Sequence, residues 1–216
     1  MALECCGTAA YSVGPMDYMH PYEKLSLFTV GLILGLFLIG LHGLMLLKPD
    51  LSQRFLKRFP RDPLMGQILL GIGMLWFWLL VAPENLGVFS KLNMDFGEFN
   101  SAKPILRILV PVTLVFVCFS VRDFLAVRAL GLLCLMAAAP LLESAFLKEP
   151  SSRLLIPIYT YAMITISLFW VGKPYVFRDL VEWATRSSVR WNGLALGGLA
   201  YGIATTACAL LFWRGF

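Results

Sequence analysis

The sequence predicts an all-α, polytopic integral membrane protein with six transmembrane helices arranged as three hairpins. The first observation is composition: 59% of the 216 residues are hydrophobic, 14% are charged and the mean hydropathy is +0.76. A soluble domain carries about 25% charged residues, so a bilayer is the natural solvent for this chain. The second observation is that six apolar runs approach the roughly 20 residues that a helix needs to cross the hydrocarbon core.

The chain divides into a polar N-terminal tail, residues 1–24, and a single six-helix transmembrane domain, residues 25–216. The tail lacks the basic region that precedes the apolar core of a signal peptide. We therefore expect the first apolar run to remain in the membrane as a span. The tail also contains the adjacent pair Cys5 and Cys6, for which acylation, a disulfide bond and free thiols all remain open.

The six predicted spans are residues 25–47, 65–82, 104–121, 124–147, 154–172 and 192–213. Arg107, Arg128 and Glu143 lie inside these runs but near their ends. Long charged side chains at such positions can extend to the membrane surface, so they do not argue against the spans.

Two connections between spans share one local plan, a Lys-Pro pair followed by an amphipathic segment. They begin with KPDLSQRFLKRF at Lys48 and KPYVFRDLVEWATR at Lys173. At helical spacing, residues 51–59 and 176–186 each separate an apolar, aromatic face from a charged face. We expect both to be interfacial helices, turned into the membrane plane by Pro49 and Pro174, because a proline disfavours helical geometry in the preceding residue.

The basic residues give the predicted orientation. The turns between spans one and two, three and four, and five and six, counted with Arg128 near the start of span four, hold eleven of the 18 Lys and Arg residues. These are Lys48, Arg54, Lys57, Arg58, Arg61, Arg122, Arg128, Lys173, Arg178, Arg186 and Arg190. The positive-inside rule places these turns in the cytoplasm and both termini outside, in what we expect to be a bacterial inner membrane.

Glycines predict where helices pack. Spans one and six contain small residues four positions apart, which lets helix backbones approach closely. The candidate packing residues are Gly31, Gly35, Gly193, Gly197, Gly198 and Gly202. We expect the first and third hairpins to pack through them, either on each other or on a partner, which includes a second copy of the chain or a larger membrane complex.

Polar residues inside the spans are the candidates for transport: His42, Glu143, Tyr161 and Thr165. An imidazole in a membrane usually faces the bundle, so His42 is either a proton-relay group, a metal or haem ligand, or a histidine hydrogen-bonded to a neighbouring helix. Glu143 is either a gate or a solvated helix end. The two hydroxyls either line a path or hold helices together.

Arginines in the basic turns are the candidates for binding lipid headgroups: Arg54, Arg58, Arg122, Arg178 and Arg186. Guanidinium groups bind phosphate well, and Asp123, Asp179 and Glu182 lie beside them. The sequence contains no recognisable nucleotide-binding, zinc-protease or hydrolase motif and no metal-ligand spacing of its five cysteines. We therefore expect no cofactor, no metal, no assigned catalytic residue and no nucleic-acid partner.

The sequence favours a non-catalytic accessory or scaffold component of a membrane assembly, in contact with membrane lipids. The first alternative is a small transporter or channel that uses the polar residues within the spans. The second is a lipid-processing enzyme with its site at the cytoplasmic interface, built from the charged turn residues. An enzyme is the less favoured class.

Overall fold

The computed structural model describes residues 20–83, 86–120 and 124–215, and their regular structure is entirely helical. The helices are α1 (Leu27–Leu47), α2 (Pro49–Arg58), α3 (Pro63–Leu80), α4 (Lys103–Ser120), α5 (Leu125–Ala145), α6 (Leu155–Gly172), α7 (Tyr175–Thr185) and α8 (Ser188–Phe212). Short 3₁₀ turns cover Phe59–Arg61, Gly87–Leu92, Gly97–Ala102 and Ser151–Leu154.

Six of these helices, α1, α3, α4, α5, α6 and α8, are long and apolar enough to cross a membrane. The structure therefore confirms the all-helical, multi-pass fold that the sequence predicts. The boundaries differ by a few residues, most at α8, which begins at Ser188 rather than at residue 192. Cys5, Cys6, Arg122 and Asp123 lie outside the described residues.

The two Lys-Pro turns have the same backbone geometry. Lys48 has φ −133° and ψ 67°, and Lys173 has φ −131° and ψ 72°. Each residue ends a span by donating its backbone N–H to the carbonyl four residues earlier, over 2.9 Å and 2.7 Å respectively. The following proline excludes the helical region for that lysine, so the repeated dipeptide stops both spans in the same way.

The first and last spans, α1 and α8, form the most extensive helix contact, and they run antiparallel. Gly31 lies against Trp213, and Gly35 lies against Thr206. Nearer the other end of α1, the indole N–H of Trp191 donates to the carbonyl oxygen of Met45 over 3.0 Å. Residues later in α1 contact residues earlier in α8, so the two helices are antiparallel.

Glycines bring the two backbones together. A Cβ atom added to Gly202 would lie 2.9 Å from the Cβ of Leu38 and 3.0 Å from the backbone nitrogen of Ile39. One turn away, Gly198 leaves room for the ring of His42. Four of the predicted packing glycines, Gly31, Gly35, Gly198 and Gly202, therefore lie where α1 meets α8 of the same chain.

The other two predicted packing glycines, Gly193 and Gly197, do not lie at this contact. Nothing among the described residues lies within 4 Å of a Cβ added at either position. Both residues occupy the side of α8 that faces away from α1. Small residues four positions apart form two lines along α8. Only one of these lines meets α1.

The predicted pairing of spans into hairpins is not confirmed. After α1 and α8, the most extensive contacts join α5 to α6, α5 to α3, and α3 to α4. Small residues permit these contacts: a Cβ added to Gly66 of α3 would lie 2.8 Å from the backbone nitrogen of Ala126, and one added to Gly131 of α5 would lie 3.0 Å from the carbonyl oxygen of Ser167. The helix α5 is therefore the inner helix of this half of the bundle.

The contacts define two ends of the bundle. At the first, which we call the basic end, α2 contacts α7, and the turn Phe59–Arg61 contacts α5. At the other, which we call the loop end, the backbone N–H of Met94 donates to the Leu80 carbonyl over 2.9 Å. There too the Trp213 indole donates to Ser152 Oγ over 2.8 Å.

The glycine contact gives a direct stability prediction. Gly202→Leu should destabilise the folded protein by about 1–3 kcal/mol or more, because the side chain would be forced against the α1 backbone. Gly197→Leu is the matched control, since its side chain would enter open space and would gain about 1 kcal/mol of helix propensity. Thermal unfolding in detergent measures both variants. Equal melting temperatures for the two would contradict this packing.

Candidate functional site

His42 is hydrogen-bonded within its own helix and packs against a neighbouring one. Its Nδ1 lies 2.9 Å from the carbonyl oxygen of Leu38, one turn earlier on α1. A carbonyl only accepts, so this nitrogen carries the proton, and the ring packs on Gly198 of α8. The histidine therefore has a hydrogen bond and fills a gap between two helices.

The other transport candidates do not lie together with His42. Thr165 donates its hydroxyl to the Tyr161 carbonyl over 2.8 Å within α6, and Tyr161 is 61% exposed on the outside of the bundle. Glu143 lies near the C-terminal end of α5, at the loop end. None of these residues lines either of the two cavities described below. Among the described residues, no group of three His, Cys, Asp or Glu side chains could hold a metal ion.

A half-open cleft of about 350 Å³ lies at the basic end, where parts of the three basic turns meet. It is lined by Leu56, Lys57, Pro60, Arg61, Phe124, Arg178, Val181 and Glu182. These residues come from α2 and its following 3₁₀ turn, from the residue before α5, and from α7. The cleft is therefore built from segments far apart in the sequence.

Helical spacing explains how the charged side chains reach the cleft. Lys57 and Arg61 are four residues apart across the end of α2, and Arg178 and Glu182 are four residues apart on α7. Residues at this spacing lie on one side of a helix. The helix α7 therefore presents Arg178 and Glu182 to the cleft, while Lys57 comes from α2 and Arg61 from the 3₁₀ turn that follows it.

An aromatic cluster beneath the cleft holds α2 against α7. The rings of Phe59 and Phe177 are 5.8 Å apart, and the Trp170 ring packs edge-on to Phe177 at 5.2 Å. Phe59, Phe177 and Val181 are buried in one hydrophobic cluster with Ala126 of α5. Offset and edge-on aromatic pairs contribute stability beyond the area that they bury. This cluster therefore helps to set the distance between the charged side chains on the two sides of the cleft.

The cleft carries more positive than negative charge, with three basic side chains and one acidic side chain. Arg178 donates two hydrogen bonds to one oxygen of Asp179, at 3.1 Å and 2.9 Å, and both side chains are about half exposed. An exposed ion pair of this kind is weak. Within the described part of the chain, neither Lys57 nor Arg61 has an ion-pair partner.

Of the predicted headgroup residues that the structure describes, Arg178 alone lines the cleft, and Arg122 lies outside the described residues. Arg54 and Arg58 on α2 and Arg186 after α7 are exposed elsewhere. Lys57 and Arg61 were not among the predicted site residues. Their spacing of four, in a turn that resembles the one after Lys173, could have indicated that they line a shared site.

Comparison of the chain with protein-family models, with curated proteins and with solved structures gives no match. Any functional assignment therefore rests on the geometry and charge of the sites themselves.

The aromatic cluster provides a test of how the cleft is held together. Phe177→Ala should destabilise the protein by about 3 kcal/mol, because it empties a buried site. Leu180→Ala on the same helix is the control, since Leu180 is 44% exposed and Phe177 is 5% exposed. Thermal unfolding in detergent compares the two variants. If Leu180→Ala is as damaging as Phe177→Ala, α7 does not pack through Phe177.

Proposed function

We propose that the protein is a non-catalytic accessory or scaffold component of a membrane, and that its basic-end cleft binds the headgroup of an anionic phospholipid. The observation that carries this proposal is the convergence of Lys57, Arg61 and Arg178 around one half-open cavity. The proposal adds a ligand to the accessory role that the sequence favours.

The chemistry of the lining suits a phosphate diester attached to an apolar body. Guanidinium groups form paired hydrogen bonds with phosphate oxygens, and an ammonium group adds a compact charge. Leu56, Pro60 and Val181 supply apolar walls below these charges. The Glu182 carboxylate accepts hydrogen bonds, which suits a headgroup that carries hydroxyl groups, such as glycerol.

The exposed faces of α2 and α7 support a position in the membrane interface. Leu51 and Phe55 on α2, and Leu180 and Trp183 on α7, are large apolar residues that the bundle leaves exposed. An amphipathic helix that lies in the interface inserts such residues among the lipid chains. In this position the cleft opens at the depth of the phosphate groups.

The excess of basic residues in the turns favours the cytoplasmic side for this end. The cytoplasmic leaflet carries anionic lipids that attract basic segments. The protein would then have both termini outside, in a bacterial inner membrane. A Cβ added at Gly193 or Gly197 would meet nothing within 4 Å in the described chain, which leaves this side of α8 open to lipid, a second copy or a partner helix.

The two alternatives have less support. A transport path needs polar groups that converge, and the four candidates lie on three different parts of the bundle. A lipid-processing enzyme would use the same cleft and would need a free carboxylate as a base. Glu182 is the carboxylate that lines the cleft, and the described lining offers it no hydroxyl, thiol or imidazole partner.

Lipid binding is tested with monomeric short-chain lipids and the purified full-length chain in detergent. We expect dihexanoyl phosphatidylglycerol to bind at least about tenfold more tightly than dihexanoyl phosphatidylcholine, and Lys57→Gln or Arg61→Gln to weaken phosphatidylglycerol binding by about tenfold, because each removes a charged hydrogen bond. Thermophoresis measures the affinities, with glycerol phosphate as the free-anion probe.

Arg58→Gln is the matched control, since it removes the same charge from the same helix outside the cleft. A loss of affinity with Arg58→Gln equal to that with Lys57→Gln would show general surface attraction and reject the cleft. Glycerol phosphate binding as tightly as the lipid would reject a lipid site in favour of a free-anion site. Headgroup release during incubation, followed by chromatography, would favour the enzyme.

Reporter fusions test the orientation. A fluorescent protein fused after Arg58 or after Trp183 should fluoresce, as it does in the cytoplasm, and alkaline phosphatase fused after Asp95 should be active, as it is outside. The expected pattern follows from the eleven basic residues in the three turns. The reverse pattern would overturn the orientation while leaving the six spans unchanged.

A further inference from the structure

A second cavity, of about 820 Å³, lies at the loop end, on the opposite side of the bundle from the basic-end cleft. Its walls come from the segment before α1, from the loop between α3 and α4, and from the first turns of α4. Its charged lining residues are Glu23, Asp95, Lys103 and Arg107. The size falls in the range of small-molecule sites, about 300–1,000 Å³.

Buried hydrogen bonds build the wall that lies opposite α4. The Nε2 of His20 lies 3.2 Å from the carbonyl oxygen of Leu92, and its Nδ1 accepts the backbone N–H of Tyr22 over 3.2 Å. The hydroxyl of Tyr22 accepts the indole N–H of Trp76 over 2.6 Å. These bonds tie the N-terminal segment both to the loop and to α3, so the cavity has a fixed shape.

Two cations one helical turn apart form the positive side. Lys103 is 9% exposed, and its Nζ donates to Asn93 Oδ1 over 2.9 Å. The Nε of Arg107 donates to the Val81 carbonyl over 2.7 Å, which orients the guanidinium, while its terminal nitrogens have no hydrogen-bond partner among the described residues. The N-terminus of α4 adds the positive end of its dipole, where cations are normally unfavourable. An anionic group bound here would remove that repulsion.

Two carboxylates form the negative side. Asp95 accepts hydrogen bonds from Asn100 and from the Gly97 N–H, which lower its pKa below the usual value, and the charge of Lys103 adds to the effect. Asp95 is therefore ionised at neutral pH. Glu23 is exposed at the edge of the cavity. Within the described part of the chain, neither carboxylate forms an ion pair with Lys103 or Arg107, so the two signs of charge face one cavity without neutralising each other directly.

We infer that this cavity binds a zwitterionic solute of short-peptide size, with its carboxylate at Lys103 and Arg107 and its ammonium group at Glu23 and Asp95. Charged hydrogen bonds at both ends orient the ligand, and the side-chain amides of Asn93 and Asn100 line the space between them. This inference does not depend on lipid binding at the other end.

The test uses tri-L-alanine as the probe and the full-length chain in detergent, with isothermal titration calorimetry as the measurement. N-acetyl-trialanine lacks the ammonium group, and trialanine amide lacks the carboxylate. We expect trialanine to bind, and each capped peptide to bind at least about tenfold more weakly, because each loses a charged hydrogen bond. No heat of binding with trialanine, or equal binding of the capped peptides, would overturn the inference.

Variants locate the two ends of the ligand. Glu23→Gln should weaken trialanine by about fivefold or more and leave the affinity for N-acetyl-trialanine unchanged, because the interacting charge is already absent. Arg107→Gln should weaken trialanine binding by a similar factor and leave the affinity for trialanine amide unchanged. Glu98→Gln and Lys91→Gln remove one negative and one positive charge from the loop between α3 and α4, outside the cavity, and should have no effect.

Glu23 is exposed, so Glu23→Gln is expected to fold even if a variant at Arg107 does not, and gel filtration checks this. Loss of affinity for trialanine and for N-acetyl-trialanine by the same factor in Glu23→Gln would place the ammonium group elsewhere and reject the proposed orientation. An effect of Glu98→Gln equal to that of Glu23→Gln would reject the cavity as the binding site.

Discussion

The close antiparallel contact of α1 with α8 is the constraint on which the rest of the structure depends. These are the first and last spans, and glycines allow their backbones to meet: a Cβ added at Gly202 would lie 3.1 Å from the carbonyl oxygen of Gly35. Because the pair is antiparallel, the end of α1 lies beside the start of α8. The chain segments that leave α1 and enter α8, which are the two basic turns, must therefore share one end of the bundle. The cleft follows from this closure of the chain.

The repeated Lys-Pro turn gives that end its symmetry. Lys48 and Lys173 adopt nearly identical dihedral angles, so α2 and α7 leave their spans in a similar way and come into contact. The helix α2 carries a net positive charge and α7 a net negative charge, so overall charge does not hold the two helices apart. The Phe59–Phe177–Trp170 cluster supplies apolar contact below the charges. The same arrangement that holds the helices together leaves Lys57, Arg61 and Arg178 around one open space, where their positive charges face an anion.

The spans could be predicted well from the sequence, but the helices that each span packs against could not. One physical reason explains both results. Run length identifies a span because only apolar residues tolerate hydrocarbon. Lipid and protein interior are equally apolar, however, so hydropathy does not tell which side of a span meets protein. Gly198 and Gly197 illustrate the limit: Gly198 packs on His42, whereas a Cβ added at Gly197 would meet nothing within 4 Å. The inner position of α5, and the cleft formed by Lys57 and Arg61, depend on the three-dimensional contacts and were missed for the same reason.

Several threonine hydroxyls inside the spans form hydrogen bonds within their own helices, while both cavities described above lie at the ends of the bundle. Thr160, Thr165 and Thr205 each donate to the carbonyl four residues earlier in their own helix, at 2.8–2.9 Å. A hydroxyl bound in this way is already paired and offers little to a passing solute. Charged side chains, which are costly to place in hydrocarbon, gather where water or headgroups reach them. Recognition by this protein is therefore expected at its two surfaces, through the basic-end cleft on one side and the cavity of mixed charge on the other.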